Sequence, residues 1–283
     1  MKIVCSTIAS FVLIFMCHIA VAQMPVVPAK DASKFLGDES AVFVSLRPAV
    51  DYQKVHITGA VNIQHTDLYG DMSMLKTPGE IATILGANGI SANKKIFLYD
   101  NGSGRYAGRM YWILSYLGAQ DVNIIDGGMK GWRMARKPVT KNPSGAAPTT
   151  FTPSVQAGML ATMAEVKRAV DDPGTVILDV RSPEEFSGSA EAVTRKGHIP
   201  SAVNLNYVNV MNERGMIKSA ADLKQLFAIA GIDKDTRVIL YCQSSVRAGI
   251  VFAALRGIGY SNSKVYDGAF LEWQSVASNP VIM

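Results

Sequence analysis

The residues of this 283-residue chain best suited to chemistry are Cys242 and Arg247, which bracket Gln243, Ser244, Ser245 and Val246 in one short loop. Thr236 to Tyr241, just before the loop, fits a buried strand. Ala248 to Gly257, just after it, fits a helix with Val251, Phe252 and Leu255 on one side. In parallel sheets, binding sites form outside the carboxyl ends of strands, where such a loop sits. Successive backbone N–H groups in the turn can point inward as an anion-binding nest, and the helix N-terminus adds partial positive charge. Both favour a thiolate over a thiol, and Arg247 adds a full charge. The expected chemistry is attack by the Cys242 sulfur on a small anionic substrate. The competing reading is a buried cysteine that only fills apolar space.

Loop length narrows the substrate. Tyrosine phosphatases also place a cysteine after a strand and an arginine at the helix start, with five residues between; here four intervene. The smaller cradle suits a single sulfur atom better than a tetrahedral phosphate or arsenate. Cysteine usage agrees with a dedicated thiol. Lys2, the apolar run Ile3 to Phe15 and Ala20-Val21-Ala22 make the three-part pattern of a secretory signal peptide spanning residues 1–22. Cys5 and Cys17 lie inside that leader, so an exported chain keeps Cys242 alone and forms no internal disulfide.

The elements around the loop occur twice, at an offset of 142 residues. His56-Ile57-Thr58-Gly59-Ala60-Val61-Asn62 matches His198-Ile199-Pro200-Ser201-Ala202-Val203-Asn204. Ile96-Phe97-Leu98-Tyr99-Asp100 matches Val238-Ile239-Leu240-Tyr241-Cys242, and Arg105 falls opposite Arg247. Asp126-Gly127 matches Asp267-Gly268 one residue out of step. A repeat this long implies two similar globular domains. Between them a stretch holding Pro138, Pro143, Pro148 and Pro153 reads as a linker. The expected bounds are 31–140, a linker over 141–157, and 158–283. Strands and helices alternate within each unit: Thr175 to Val180 is a strand, Ser219 to Ala230 a helix capped by Ser219, and Lys264 to Tyr266 a strand. The fold class expected is α/β, each domain a mostly parallel sheet flanked by helices.

These motifs together resemble the rhodanese family, specifically its tandem-domain thiosulfate and 3-mercaptopyruvate sulfurtransferases. Leu178-Asp179-Val180-Arg181-Ser182-Pro183-Glu184-Glu185-Phe186 is similar to the family's first signature, and Gly197 to Asn204 to its second part. The Cys242–Arg247 loop is similar to the active-site loop, and Asp267-Gly268-Ala269-Phe270-Leu271-Glu272-Trp273 to the closing motif. The resemblance implies an active second domain and an inactive first one. Asp100 at the place of Cys242 agrees, since a carboxylate forms no persulfide. It also implies sulfur transfer from an anionic donor to a thiophilic acceptor through a Cys242 persulfide, held by Gln243, Ser244, Ser245, Val246 and Arg247, with no cofactor. Three positions depart from the pattern: Ser245 where glycine is common, Arg247 where the best-known tandem enzymes carry threonine, and Glu185 where they can have a substrate-binding arginine.

Other classes fit less well. The net charge of +5 falls to +4 without Lys2, its basic residues are scattered, and no aromatic-basic stripe marks a nucleic-acid surface. His56 and His198 hold equivalent places in both halves, which points to a structural turn; with His65 they give no metal-ligand spacing. Asp179 and Arg181 are expected to pair structurally, and Glu184-Glu185 to sit in a helix first turn. A non-catalytic sulfur carrier and a phosphatase or arsenate reductase remain the alternatives. A soluble, exported monomer is expected.

Overall fold

A computed structural model of the chain describes residues 24–191 and 196–283. The leader, with Cys5, Cys17 and the cleavage signal, lies outside the described residues.

The first domain contains β1 (Val26–Val27), β2 (Ala41–Ser45), β3 (His56–Ile57), β4 (Val61–Asn62), β5 (Lys95–Tyr99), β6 (Asp121–Ile125) and β7 (Val139–Thr140). The second contains β8 (Leu160–Ala161), β9 (Thr175–Asp179), β10 (Val203–Asn204), β11 (Arg237–Tyr241) and β12 (Ser263–Tyr266). The first sheet runs β1-β6-β5-β2-β4 and the second β8-β12-β11-β9-β10, so the strand order is the same. All pairs within these two sheets are parallel; β3 and β7 form a separate antiparallel ribbon. Each central strand is apolar on both faces because helices cover both. In β11, Val238 and Leu240 enter one core cluster while Ile239 and Tyr241 enter another. That two-sided burial makes such strands continuous apolar runs in the sequence.

The expected elements appear with small shifts. The second-domain helix spans Ala220–Ile229, and the Ser219 hydroxyl accepts from the Asp222 N–H at 3.2 Å. The helix Ala248–Gly257 has the expected bounds. The first domain begins before residue 31, because β1 is already its edge strand; two residues of pairing leave no periodic trace. The proline-rich linker is stitched to the first domain rather than free. The N–H groups of Thr149, Ser154 and Gln156 donate to the carbonyls of Gly86, Leu117 and Tyr116, and Phe151 is buried.

The two domains share one core. Helix Arg105–Tyr116 packs on helix Ala248–Gly257, and residues of both belong to a single buried cluster. They touch at Gly108 and Gly249. A Cβ on Gly108 would overlap the backbone of Ile250, and one on Gly249 the backbone of Arg109. This reciprocity makes Gly108 the counterpart of Gly249, an offset of 141 and not 142. The one-residue change of register therefore falls inside the loop, ahead of the helix. Arg105 is not the structural counterpart of Arg247; Tyr106 is. The first-domain loop is one residue longer than the Cys242–Arg247 loop.

Candidate active site

Cys242 directly follows β11, is 1% exposed and belongs to the apolar core cluster. Phe270 and Leu271, from the closing motif, donate their N–H groups to the carbonyls of Cys242 and Gln243, each at 3.0 Å. The helix Ala269–Ser275 thus holds the loop's first two carbonyls turned away from its interior. Ser244, Ser245 and Val246 donate no backbone N–H to another protein group among the described residues. Ser245 is fully buried at φ 54°, the left-handed region, which explains why glycine is common there. Arg247 stands at the N-cap position of the helix that follows, with no capping bond from its side chain.

The first domain shows what such a loop does with a negative charge. The Asp100 carboxylate, 1% exposed, accepts from Gly102 N–H at 2.8 Å, Gly104 N–H at 3.2 Å and Tyr106 N–H at 3.1 Å. The Ser103 hydroxyl adds a bond at 3.2 Å. The loop's own aspartate fills its nest with an internal anion. In the second domain the shorter loop starts with sulfur in place of the carboxylate and keeps its N–H groups uncommitted.

Arg247 is less available than its sequence position suggests. Its guanidinium grips Glu185 in two bonds, of 2.6 and 2.8 Å. Burial pulls its pKa down, but Glu185 and the charge at Cys242 outweigh that and raise it. For Glu185, burial pushes up while Arg247 and the Ser182 N–H pull down harder, so its pKa is lowered. Glu185 also closes a capping box with Ser182 at the start of helix Pro183–Ser187. The first-turn reading of Glu185 was therefore incomplete. It serves the cap and Arg247 together, and no spacing rule could reveal a partner 62 residues away. With Glu185 in that place, no arginine occupies it.

The first domain supplies one wall that sequence reasoning did not find. Asp267, at the end of β12, accepts from the Ser245 hydroxyl at 3.2 Å. The same carboxylate accepts from the Arg109 guanidinium at 3.1 Å and from Leu75 N–H at 2.7 Å, both from the first domain. Arg109 also donates to the Ser73 carbonyl at 3.2 Å and lies over the Tyr69 and Trp112 rings. Tyr69 shares a 3.0 Å bond with His65, which stacks on Tyr106. Burial first, then the charges of Arg109 and Arg105, hold His65 below the usual histidine value. Burial pushes the Tyr69 phenol up.

The remaining polar candidates are structural. His56 Nδ1 bonds the Tyr52 carbonyl and His198 Nδ1 the Phe186 carbonyl, both at 2.8 Å, each ring stacked on its partner's. A carbonyl only accepts, so each Nδ1 carries the proton. Asp179 and Arg181 form a fully buried pair, and Arg181 reaches the Gly197 carbonyl at 2.9 Å.

Comparison with known proteins bears on this geometry. The rhodanese-like domain matches twice, over residues 28–135 and 162–276. A chain of Haloferax volcanii named as a thiosulfate sulfurtransferase is 33% identical over 241 residues, covering 81% of this chain and 84% of that one. The 3-mercaptopyruvate sulfurtransferase of Escherichia coli is 28% identical, covering 93% and 94%. Among solved structures, the anaerobic ergothioneine biosynthesis enzyme from Chlorobium limicola superposes with a TM-score of 0.82 at 23% identity, over 91% of this chain and 69% of that one, a likeness of fold. Two sheets of one topology, one loop carrying sulfur and its twin carrying a carboxylate, and a domain match over each half lead to one conclusion: the chain belongs to the rhodanese family, as two rhodanese-like domains in tandem.

Proposed function

We propose that this sulfurtransferase takes the outer sulfur of thiosulfate onto Cys242 and passes it to a thiophilic acceptor such as cyanide or a thiol. The observation that carries the reading is the uncommitted N–H cradle around Cys242, whose first-domain twin binds a carboxylate. The Cys242 thiolate attacks the outer sulfur of thiosulfate. A sulfur–sulfur bond forms as the donor's own breaks, and sulfite leaves with the electron pair. The persulfide left on Cys242 carries one negative charge, which the loop N–H groups and Arg247 stabilise. Cyanide then attacks the outer sulfur, thiocyanate leaves, and the thiolate returns.

Thiosulfate is preferred over 3-mercaptopyruvate on the arginine count. A mercaptopyruvate carboxylate calls for a further bidentate partner. Glu185 stands where the resemblance places such an arginine, and it already holds Arg247. The names of several relatives near 30% identity support the same donor. Parallel assays with cyanide as acceptor test this. kcat/KM for thiosulfate is expected to exceed that for 3-mercaptopyruvate by at least about tenfold, the value of one charge-assisted bond. The reverse order would overturn the donor. No turnover on either, with sulfur still passing to a protein partner, would make the chain a carrier.

We also propose that the chain is exported and works as a soluble monomer after cleavage behind Ala22. The leader pattern of Lys2, an apolar run and Ala20-Val21-Ala22 supports this. N-terminal sequencing of exported protein should begin at Gln23, and Met1 retained there would refute it.

A further inference from the structure

The inactive domain does more than pack against the active one. We propose that Arg109 of the first domain is a positioning residue for sulfur transfer: through Asp267 it fixes Ser245 and cancels a negative charge beside the Cys242 loop. The inference rests on the sulfur-transfer reading above.

The geometry is a chain of three groups. Arg109 is 1% exposed and meets one oxygen of Asp267 at 3.1 Å. The same oxygen accepts from the Ser245 hydroxyl at 3.2 Å. Ser245 is the loop residue in the left-handed region, a conformation that costs a non-glycine residue free energy unless a contact holds it. Its hydroxyl bond to Asp267 is that contact. A carboxylate is nonetheless a poor neighbour for a loop that must hold a thiolate and admit an anionic donor. Arg247 from its own loop and Tyr69 from the first domain act on Cys242 directly, Glu185 stands behind Arg247, and Asp267, just after β12, meets the loop at Ser245 and carries Arg109 on its far side. Glu185 offsets part of the Arg247 charge, so an uncancelled Asp267 would weigh heavily on the field at the loop. Arg109 does this, and its remaining N–H groups meet no acceptor but lie over the Tyr69 and Trp112 rings.

The duplicated half serves as an internal control. Asp126, the counterpart of Asp267, accepts the Ile217 N–H across the interface at 2.9 Å, as Asp267 accepts that of Leu75 at 2.7 Å. The capture of the opposite domain is thus kept on both sides. The arginine is not. In the Gly108–Gly249 register the counterpart of Arg109 is Ile250, and burial pushes the Asp126 carboxyl up. Ser103, three residues past Asp100 as Ser245 is three past Cys242, turns to Asp100 instead of Asp126. Among the described residues, cation, aspartate and loop hydroxyl are linked only on the side that carries sulfur.

The test compares alkylation of Cys242 in the full chain by neutral iodoacetamide and anionic iodoacetate, each adduct located by peptide mass. The ratio of the two rates reads charge at the loop, whereas a purely structural change moves both rates together. Arg109→Gln should lower the iodoacetate/iodoacetamide ratio about tenfold, the effect of one uncompensated charge nearby in a partly polar interior. Asp267→Asn should raise it, Arg109→Lys should keep it near the native value, and Arg109→Gln with Asp267→Asn should restore it. The opposite signs keep the test decisive even where one variant folds poorly. An unchanged ratio in folded Arg109→Gln or in folded Asp267→Asn overturns the proposal. A native Cys242 inert to both reagents would instead overturn the sulfur-transfer reading, since a thiol that no small reagent can reach cannot attack a small anionic donor either.

Discussion

Cys242→Ser is expected to load no sulfur and to lose turnover with every donor. Incubating the native chain with thiosulfate should add the mass of one cyanide-labile sulfur atom, and the serine variant should add none. An alcohol neither ionises at neutral pH nor forms a persulfide, so the covalent step is lost outright and not merely slowed. The loss exceeds about a thousandfold, the scale seen when a catalytic nucleophile is removed. The fold should survive. Cys242 is buried, but the change is nearly isosteric, and the uncommitted N–H groups of Ser244, Ser245 and Val246 offer the new oxygen partners. The cost of burying the hydroxyl is therefore at the low end, about 1 kcal/mol. The first domain cannot substitute, because Asp100 fills its own nest with its own carboxylate. Full activity in a folded Cys242→Ser protein would sink the persulfide mechanism.

The fold was readable wherever a residue pattern repeats locally. β11 and the helix after it were legible because both are bounded, strongly apolar and joined at one cysteine. The tandem architecture was legible because each half restates the other. What escaped is mostly non-local. Arg247 and Glu185 are 62 residues apart, and Arg109 and Asp267 are 158 apart. Charged residues at such separations carry no periodicity, so each alone has the look of a solvated surface group. The repeat even misled at one point. Arg105 and Arg247 fall in register in the sequence, yet the Gly108–Gly249 contact moves the register change upstream and puts Tyr106 opposite Arg247. The departure of Ser245 from glycine became intelligible only with its φ of 54° and its bond to Asp267 in view.

Arg247→Ala should slow sulfur loading by about a hundredfold to a thousandfold, and much of that loss should return on neutralising Glu185. Removing the guanidinium takes away a charge-assisted contact to the persulfide, worth about 1.5–3 kcal/mol. It also leaves Glu185 as a largely buried, unpaired carboxylate beside a site that must admit a dianion, with its side chain 18% exposed. The second effect vanishes in Arg247→Ala with Glu185→Gln, because glutamine keeps the capping box with Ser182 and carries no charge. The two losses should therefore be strongly non-additive, with a coupling energy of about 1–3 kcal/mol. Acidity provides a parallel readout. The Glu185 pKa is lowered from 4.5 in the folded chain. The pair's stabilisation is thus fully present above the unfolded value and is lost as pH falls through the lower folded one. Heating curves of the native chain and of Glu185→Gln should converge in that acidic window and separate above it. If the two substitutions prove additive in loading rate, Glu185 does not act through Arg247, and the arginine's role at the sulfur must be explained without it.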